Sequence, residues 1–268
     1  MVVEDIRSHL LVEKKDRIAY VTLNRPERLN AVTNAHWDQL SETWLALEED
    51  PEVWVIIVTG AGDKAFCTGQ DLKDLAQRGG NEDAGGDLSV ERSPGPTPIF
   101  DLEMWTPAIA AINGYCVAGG LEIALCCDIR VAAEHAEFGL QEVRWGLIPN
   151  GGGVDKLPRA IPICIAMEML LTGQRIDAQE AHRVGLINRV VPADQVMPTA
   201  EAIARRICEN GPLAVRAIKE NVYRGYNMYL GHARRFEDAF AELLSRTEDA
   251  IEGPRAFSEK RKPQFKGR

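Results

Sequence analysis

Several common kinds of chemistry are missing from this chain of 268 residues. Its six cysteines, Cys67, Cys116, Cys126, Cys127, Cys164 and Cys208, include no CxxC pair, and most lie within apolar stretches. That spacing speaks against a disulfide framework and a thiolate metal site, and predicts a reduced, buried, cytosolic set. The histidines His9, His36, His135, His182 and His232 share no motif, and neither a metal-ligand spacing nor a Ser-His-Asp arrangement occurs. Without a GxGxxG or P-loop pattern, nothing calls for a nucleotide cofactor. Positive charge is scarce as well. Against 40 Asp and Glu stand 31 Lys and Arg, a net charge of −9. Nucleic acid is therefore not the expected partner, because phosphate binding needs concentrated cations, although a few local ones can hold a small anion. No apolar run is long enough to span a bilayer, and Met1 to Ile6 lacks a basic segment leading into a long apolar run. A cytoplasmic protein with no membrane partner is expected.

What remains is an ordinary globular composition, 45% hydrophobic and 26% charged, long enough to bury a large core. Leu10 to Glu13 and Ile18 to Leu23 read as strands joined by the polar turn Lys14-Lys15-Asp16-Arg17. Trp37, Leu40, Trp44 and Leu47 recur every three or four positions, which predicts an amphipathic helix ending near Asp50-Pro51. Val53 to Thr59 and Pro107 to Asn113 are apolar on both faces, as in central strands covered on both sides. Leu121 to Cys127 reads as a short helix, apolar all round and hence buried, and Ile129 to Ala132 as a further strand. Alternating strands and helices imply an α/β fold with largely parallel pairing. Gln77 to Pro98, rich in Gly, Pro and acidic residues, reads as a long flexible loop walling the active site. Beyond Val190-Val191-Pro192 the pattern is helical, with helices expected over Ala200 to Cys208, Pro212 to Tyr223 and His232 to Leu244. A core of residues 1–198 and a helical region of 199–268 follow.

Two glutamates carry the functional reading. Glu122 lies in Gly119-Gly120-Leu121-Glu122, and Glu142 in Phe138-Gly139-Leu140-Gln141-Glu142. Each follows a glycine-marked turn out of an apolar run, and two carboxylates facing one pocket can do matched acid and base work. The residues after Glu122 are all apolar, and a carboxylate buried there without a task is costly. Function is therefore favoured over a plain helix-start charge. Glu142 alone reads as a solvated surface glutamate near Glu137 and Arg144, raised only by its association with Glu122. Gly119 and Gly120 form either a tight turn that only glycine fits or a pair of N–H groups aimed at an anion. Phe66 to Leu72 can place another backbone N–H beside them, with Asp71 also readable as a helix N-cap. Arg25, Lys64 and Lys73 flank these loops as solvated charge.

Taken together these segments resemble the enoyl-CoA hydratase/isomerase (crotonase) superfamily over nearly the full chain. Asn24-Arg25-Pro26 with Leu29-Asn30-Ala31, and Ala65 to Leu72, match its first two blocks. Ala111-Ile112-Asn113-Gly114-Tyr115 through Gly119-Gly120-Leu121-Glu122 and Cys127-Asp128-Ile129 match the central one. Phe138-Gly139, Glu142, Gly146-Leu147-Ile148-Pro149 and Gly152-Gly153 follow in register, and Ala256 to Pro263 closes the chain. Any one block is weak, but so many in order is a strong signal.

The resemblance implies a crotonase-like spiral of ββα turns followed by a C-terminal helical region that assembles homotrimers or dimers of trimers. It implies acyl-CoA thioester substrates, coenzyme A being part of the substrate, with no separate cofactor and no metal. By position the backbone N–H groups of Gln70 and Gly119 form an oxyanion hole for a thioester enolate. Lys64 and Lys73 stand where relatives contact adenosine or phosphates, and Leu29 and Ala31 where backbone cups the adenine. Arg25, Ala65, Asp71, Leu72 and Gly120 join the substrate-binding set through the same motifs. Phe257 and Lys260 correspond to residues that reach the ligand of a neighbouring subunit. Because Glu122 and Glu142 are both present, the resemblance points to hydratases, whereas isomerases commonly keep only the second glutamate. An isomerase shuttling protons on Glu142 is the runner-up, and a noncatalytic acyl-CoA-binding or RNA-binding relative stands behind it. Asn150 departs from the glycine usual in hydratases. The loop Pro149 to Gly153 and the segment Glu248 to Pro254 resemble the carnitinyl-CoA (crotonobetainyl-CoA) dehydratase branch.

Overall fold

Asp16 and Arg17, with φ of 52° and 68°, make the two-residue turn of the first hairpin in the computed structural model, which describes residues 9–77 and 99–268. A turn left-handed at both positions matches the right-handed twist of the flanking strands. Strand β1 (Leu10–Lys15) therefore continues through Lys14 and Lys15, which the polar-turn reading had assigned to the turn, and β2 (Ile18–Leu23) pairs with it antiparallel. Helix α1 (Asn34–Glu49) starts at a capping box in which the Thr33 N–H donates to His36 Nδ1 at 2.9 Å. It buries Leu40, Trp44 and Leu47 on the predicted face.

Then come β3 (Val55–Gly60), β4 (Ala65–Cys67) and α2 (Leu72–Gln77). The central block holds β5 (Ala108–Ile112), β6 (Tyr115–Val117), α3 (Gly119–Cys126), β7 (Ile129–Ala133) and β8 (Glu137–Gly139). Helices α4 (Gly153–Ala160) and α5 (Ile163–Thr172), strand β9 (Ile176–Asp177), helix α6 (Ala178–Arg183) and strand β10 (Arg189–Val191) complete the core. The chain ends in α7 (Val196–Cys208), α8 (Pro212–Gly225), α9 (Leu230–Leu244) and α10 (Glu248–Ser258).

One sheet runs β1-β2-β3-β5-β7-β10, parallel from β2 onward; a smaller one runs β4-β6-β8-β9, with only β9 antiparallel. The doubly apolar strands are explained by what covers each face. Val55, Ile57, Ile109 and Ala111 pack with Val196, Ala200 and Ala204 of α7, while Ile56, Val58, Ala110 and Ile112 face the main core with α1 and α3. Alternate residues point to opposite faces of a strand, so both layers need apolar partners.

Several elements were not visible in the sequence. α7 begins at Val196, ahead of the expected Ala200, because Pro198 falls in the first turn where its missing N–H costs nothing. α10 runs across Gly253 and Pro254, residues that read as breakers, and is capped by Thr247, whose side chain accepts from the Ala250 N–H. Strands as short as β4, β6, β8 and β9 carry too little periodicity to detect. The cysteines are free, but not uniformly buried: Cys164 on α5 is exposed, and Cys126 and Cys208 are half-buried. Residues 78–98, read as a wall of the active site, lie outside the described residues. Among the described residues no helix is long and apolar enough to cross a membrane.

Asn30 joins the first two motif blocks. It is 1% exposed, with φ of 55°; its Nδ2 donates to the carbonyls of Ala61 (3.0 Å) and Ala65 (2.7 Å), and its Oδ1 accepts from the Arg25 N–H (2.9 Å). Asn30→Ala strands three buried backbone groups and keeps an unfavourable backbone conformation, so urea denaturation should report a loss of about 2–4 kcal/mol. A loss below about 0.5 kcal/mol, the usual range for surface changes, would contradict this role.

Candidate active site

Three of the four predicted catalytic groups leave the same edge of the small sheet. β4, β6 and β8 are adjacent and parallel, and Gln70, Gly119 and Glu142 follow their C-terminal ends by two or three residues. Loops at the carboxyl ends of parallel strands are where open α/β sheets place ligands. The exits are tied together: the Ala118 N–H donates to Gly139 O at 2.8 Å, and Val32 bridges both sides of Gln70 through Gly69 O and the Asp71 N–H.

Close approach explains the glycines. A Cβ on Gly120 would sit 2.1 Å from Cys67 O, so α3 can seat against β4 only without one. Gly69, at φ +80°, lies so near the next loop that its Cβ would meet the Gly119 nitrogen at 2.6 Å. The amides of Gln70 and Gly119 are thereby set side by side. In the bridge to Val32 the neighbours of Gln70 make the hydrogen bonds, and its own N–H faces away. Gly119 opens α3, where first-turn N–H groups have no intrahelical acceptor. Ala118, preceding it, holds φ 51° and ψ −133°, a backbone state that costs about 1–3 kcal/mol and is common at functional turns. Trp37 completes this corner: its Nε1 donates to Gln70 Oε1 at 2.9 Å, and its ring lies where a Gly119 Cβ would be at 2.9 Å.

Glu122 is 4% exposed, and its Oε1 accepts from the amides of Gly151 (2.7 Å) and Gly153 (2.9 Å). Side chains are excluded there too, since a Cβ on Gly151 would meet Glu122 Oε2 at 2.5 Å and Phe100 at 2.6 Å. Burial raises its pKa above the usual carboxylate value, while the two amides and the charge of Lys156 pull the other way. Glu142 opens a short 3-10 turn (Glu142–Trp145) beyond β8. It is not the solvated glutamate that its neighbours suggest: its Oε2 is buried without a hydrogen bond. Burial pushes its pKa up to about 7, and the nearby Glu122 charge adds to the rise. The two carboxyls thus share one neighbourhood and differ in how strongly the protein stabilises the charged form.

The other candidates fall into three groups. Arg25, Leu29, Ala31, Ala65 and Asp71 are knit together. Arg25 is 6% exposed and not solvated; its guanidinium donates to Ala31 O at 2.7 Å and lies 3.5 Å from Asp71. Leu29 takes φ 52° and lends its carbonyl to Thr68. Asp71 caps α2, accepting from the amides of Lys73 and Asp74. Lys64, Leu72 and Lys73 are exposed on the rim of these loops. Phe257 and Lys260 sit at the end of α10, exposed. Among the described residues no hydrogen bond or ring contact joins them to the glutamates.

Trp37, Phe100, Gly151 and Lys156 belong to this site and were not singled out beforehand. Trp37 had been absorbed into the helix face, and Phe100 reaches it at a ring separation of 5.1 Å. The Gly151-Gly152-Gly153 run was the one available signal for the amides that hold Glu122.

The model of the enoyl-CoA hydratase/isomerase family matches residues 13–268. An (E)-benzylidenesuccinyl-CoA hydratase of Thauera aromatica is 41% identical over 269 residues, covering 96% of this chain and 98% of its own length. A carnitinyl-CoA dehydratase of Citrobacter koseri is 41% identical over 256 residues, covering 94% and 95%. Among solved structures, an enoyl-CoA hydratase from Bacillus anthracis superposes with a TM-score of 0.88 at 36% identity, covering 97% of this chain and 100% of its own. One from Mycobacterium marinum gives 0.87 at 37%, with the same coverage. Likeness that runs from end to end in both sequence and fold assigns the chain: it belongs to the enoyl-CoA hydratase/isomerase (crotonase) family.

Proposed function

We propose that this protein adds water reversibly across the double bond of a 2-enoyl-CoA thioester, giving a 3-hydroxyacyl-CoA. The observation that supports the reading is a pair of neighbouring carboxyls that burial makes unequally basic, beside the Gly69-Gln70 and Gly119 turns packed main chain to main chain. The thioester oxygen accepts from the N–H groups of Gln70 and Gly119, which bind it more tightly as enolate charge develops. One such donor is worth about 3 kcal/mol. Water lies between Glu122 and Glu142. Glu122, favoured as carboxylate by two amides and Lys156, takes a proton from the water as its oxygen attacks C3. Glu142, the better proton holder of the pair near neutrality, delivers its proton to C2 as the enolate collapses. The pair titrates as a unit, so this is an assignment of roles and not of two independent pKa values.

Removing water is the same chemistry run backwards, so relatives named as a hydratase and as a dehydratase both support this reading. An isomerase needs a single shuttle and leaves the clamp on Glu122 without purpose. Coenzyme A lies along the knitted loops from Arg25 to Ala31 and Ala65 to Lys73, with Lys64 and Lys73 as exposed cations for its phosphates. Exposed apolar side chains on the C-terminal helices, among them Tyr226 (70%), Tyr229 (78%), Leu230 (81%) and Phe257 (87%), suit subunit contacts in a homotrimer or a dimer of trimers. There Phe257 and Lys260 reach a neighbour's ligand. A reducing cytoplasm suits the free cysteines.

Glu122→Gln and Glu142→Gln should each lower kcat for hydration of crotonyl-CoA and longer homologues by about 10²–10⁴, with thioester binding kept. Loss of the conjugated enoyl thioester absorbance reads this directly. If both variants kept the wild-type rate, the assignment would fall.

Stability should depend on pH through Glu142. Its folded pKa of about 7 exceeds the ordinary 4.5, so the folded state binds the proton more tightly than the unfolded chain. That contribution is complete below about pH 4.5 and is lost as pH rises through about 7. Melting temperatures should show Glu142→Gln gaining on the wild type between pH 5 and pH 8. A difference that stays flat over that range would rule the shift out.

A further inference from the structure

A cavity of about 630 Å³ is walled by Phe100, Cys126 and Lys156 on one side and by α8 on the other. The cations around it are mostly committed. Arg224 pairs with Glu103 and Glu220, Lys219 with Asp128, and Arg130 donates to the carbonyls of Ala124, Cys127 and Leu186. Arg159 bonds Asp155 O. Lys156 is different. Its ammonium donates to a backbone carbonyl, Phe100 O at 3.1 Å, and to a thiol, Cys126 Sγ at 3.0 Å, with no carboxylate among its hydrogen-bond partners.

Those contacts surround the grip on Glu122. Phe100 packs where a Gly151 Cβ would be, and Cys126 is four residues on from Glu122 along α3. The stem of Lys156 lies where a Cβ on Gly152 would meet Cε at 3.2 Å and Cδ at 3.3 Å, and its N–H donates to Gly152 O at 2.8 Å. Gly152 is the residue between the two amides that hold Glu122. One side chain therefore ties the 99–101 turn to the end of α3, with its stem laid along the glycine loop.

We infer that Lys156 is a positioning residue for the hydration reaction, bracing the Gly151–Gly153 loop and setting a positive charge behind Glu122. Among the described residues, the ionisable groups that interact with Glu122 are Glu142, Cys126 and Lys156. Burial raises the Cys126 pKa and keeps the thiol neutral, so Lys156 is the positive member of the set. Its charge opposes the rise that burial imposes on Glu122. Without it Glu122 holds its proton to higher pH and is less often the carboxylate that activates water.

The inference rests on the hydratase reading, so its test carries a second readout independent of turnover. The full-length protein is compared with Lys156→Met and Lys156→Arg by the pH dependence of kcat/KM on crotonyl-CoA, by thermal melting, and by NMR titration of the Gly151 and Gly153 amides. Lys156→Met should move the acid limb to higher pH and lower activity below the limb, with KM little changed. The same variant should shift both glycine amides and their titration midpoint, and Lys156→Arg should restore both readouts. A uniform loss at every pH, or an unmoved limb with unmoved amides, overturns the proposal. So does an arginine variant no better than methionine. If Lys156→Met does not fold, Lys156→Gln is read by the same criteria. Should the wild type hydrate no enoyl-CoA, the reading of function fails, while the amide titration still decides the role of Lys156.

Discussion

The catalytic half of this molecule depends on backbone segments lying closer together than any side chain would allow. α3 sits on β4 at a distance where a Gly120 Cβ would overlap Cys67 O, and the Gly69 and Gly119 turns touch through their main chains. That proximity brings the main chains of two different loops together, which a side chain at either glycine would prevent. The strands beneath, β4, β6 and β8, supply the rigid parallel base, and burial of Phe66 and Phe138 holds that base in the core. A loop alone could not keep donors within the few tenths of an ångström that oxyanion stabilisation requires.

The same principle governs Glu122. A carboxylate in an apolar helix would be neutral and inert if burial acted alone. Two glycine amides and a nearby ammonium restore part of the lost solvation, and they can approach because Gly151 and Gly153 carry no side chain. Glu142 receives far less help, and its buried, unbonded oxygen leaves it the weaker acid of the two. Difference of environment, and not of residue type, thus sets two identical side chains apart.

Much of this was legible in the sequence, and the reason is physical. Strands apolar on both faces, the periodic α1, and a glutamate amid purely apolar neighbours each leave a local trace. Motif blocks in register supplied the placement of Gln70 and Gly119. What left no trace was tertiary. Nothing local distinguishes Arg25 as a buried clamp from Arg25 as a solvated cation, since Asp71 and Ala31 are brought to it only by folding. Glu142 reads as surface because its sequence neighbours are charged, whereas its burial comes from contacts distant along the chain. Trp37 and Phe100 lie far apart in sequence, and each passes for ordinary core until the rings meet.

The carboxyls and amides of the candidate site and the aromatic rings beside them fall on different elements. The glutamates and amides stand on α3 and on the loops after β4, β6 and β8. Trp37 belongs to α1, and Phe100 to the turn at 99–101; both sit against the glycine loops. Trp37 hydrogen-bonds Gln70 and packs on Gly119, so a change in that ring reaches the corner of the two amides, whereas Phe100 packs on the loop that holds Glu122. The Phe100 carbonyl, through Lys156, is where the two parts meet. A change in that wall therefore reaches Glu122 by two routes, through the Phe100 ring on Gly151 and through the Phe100 carbonyl on Lys156.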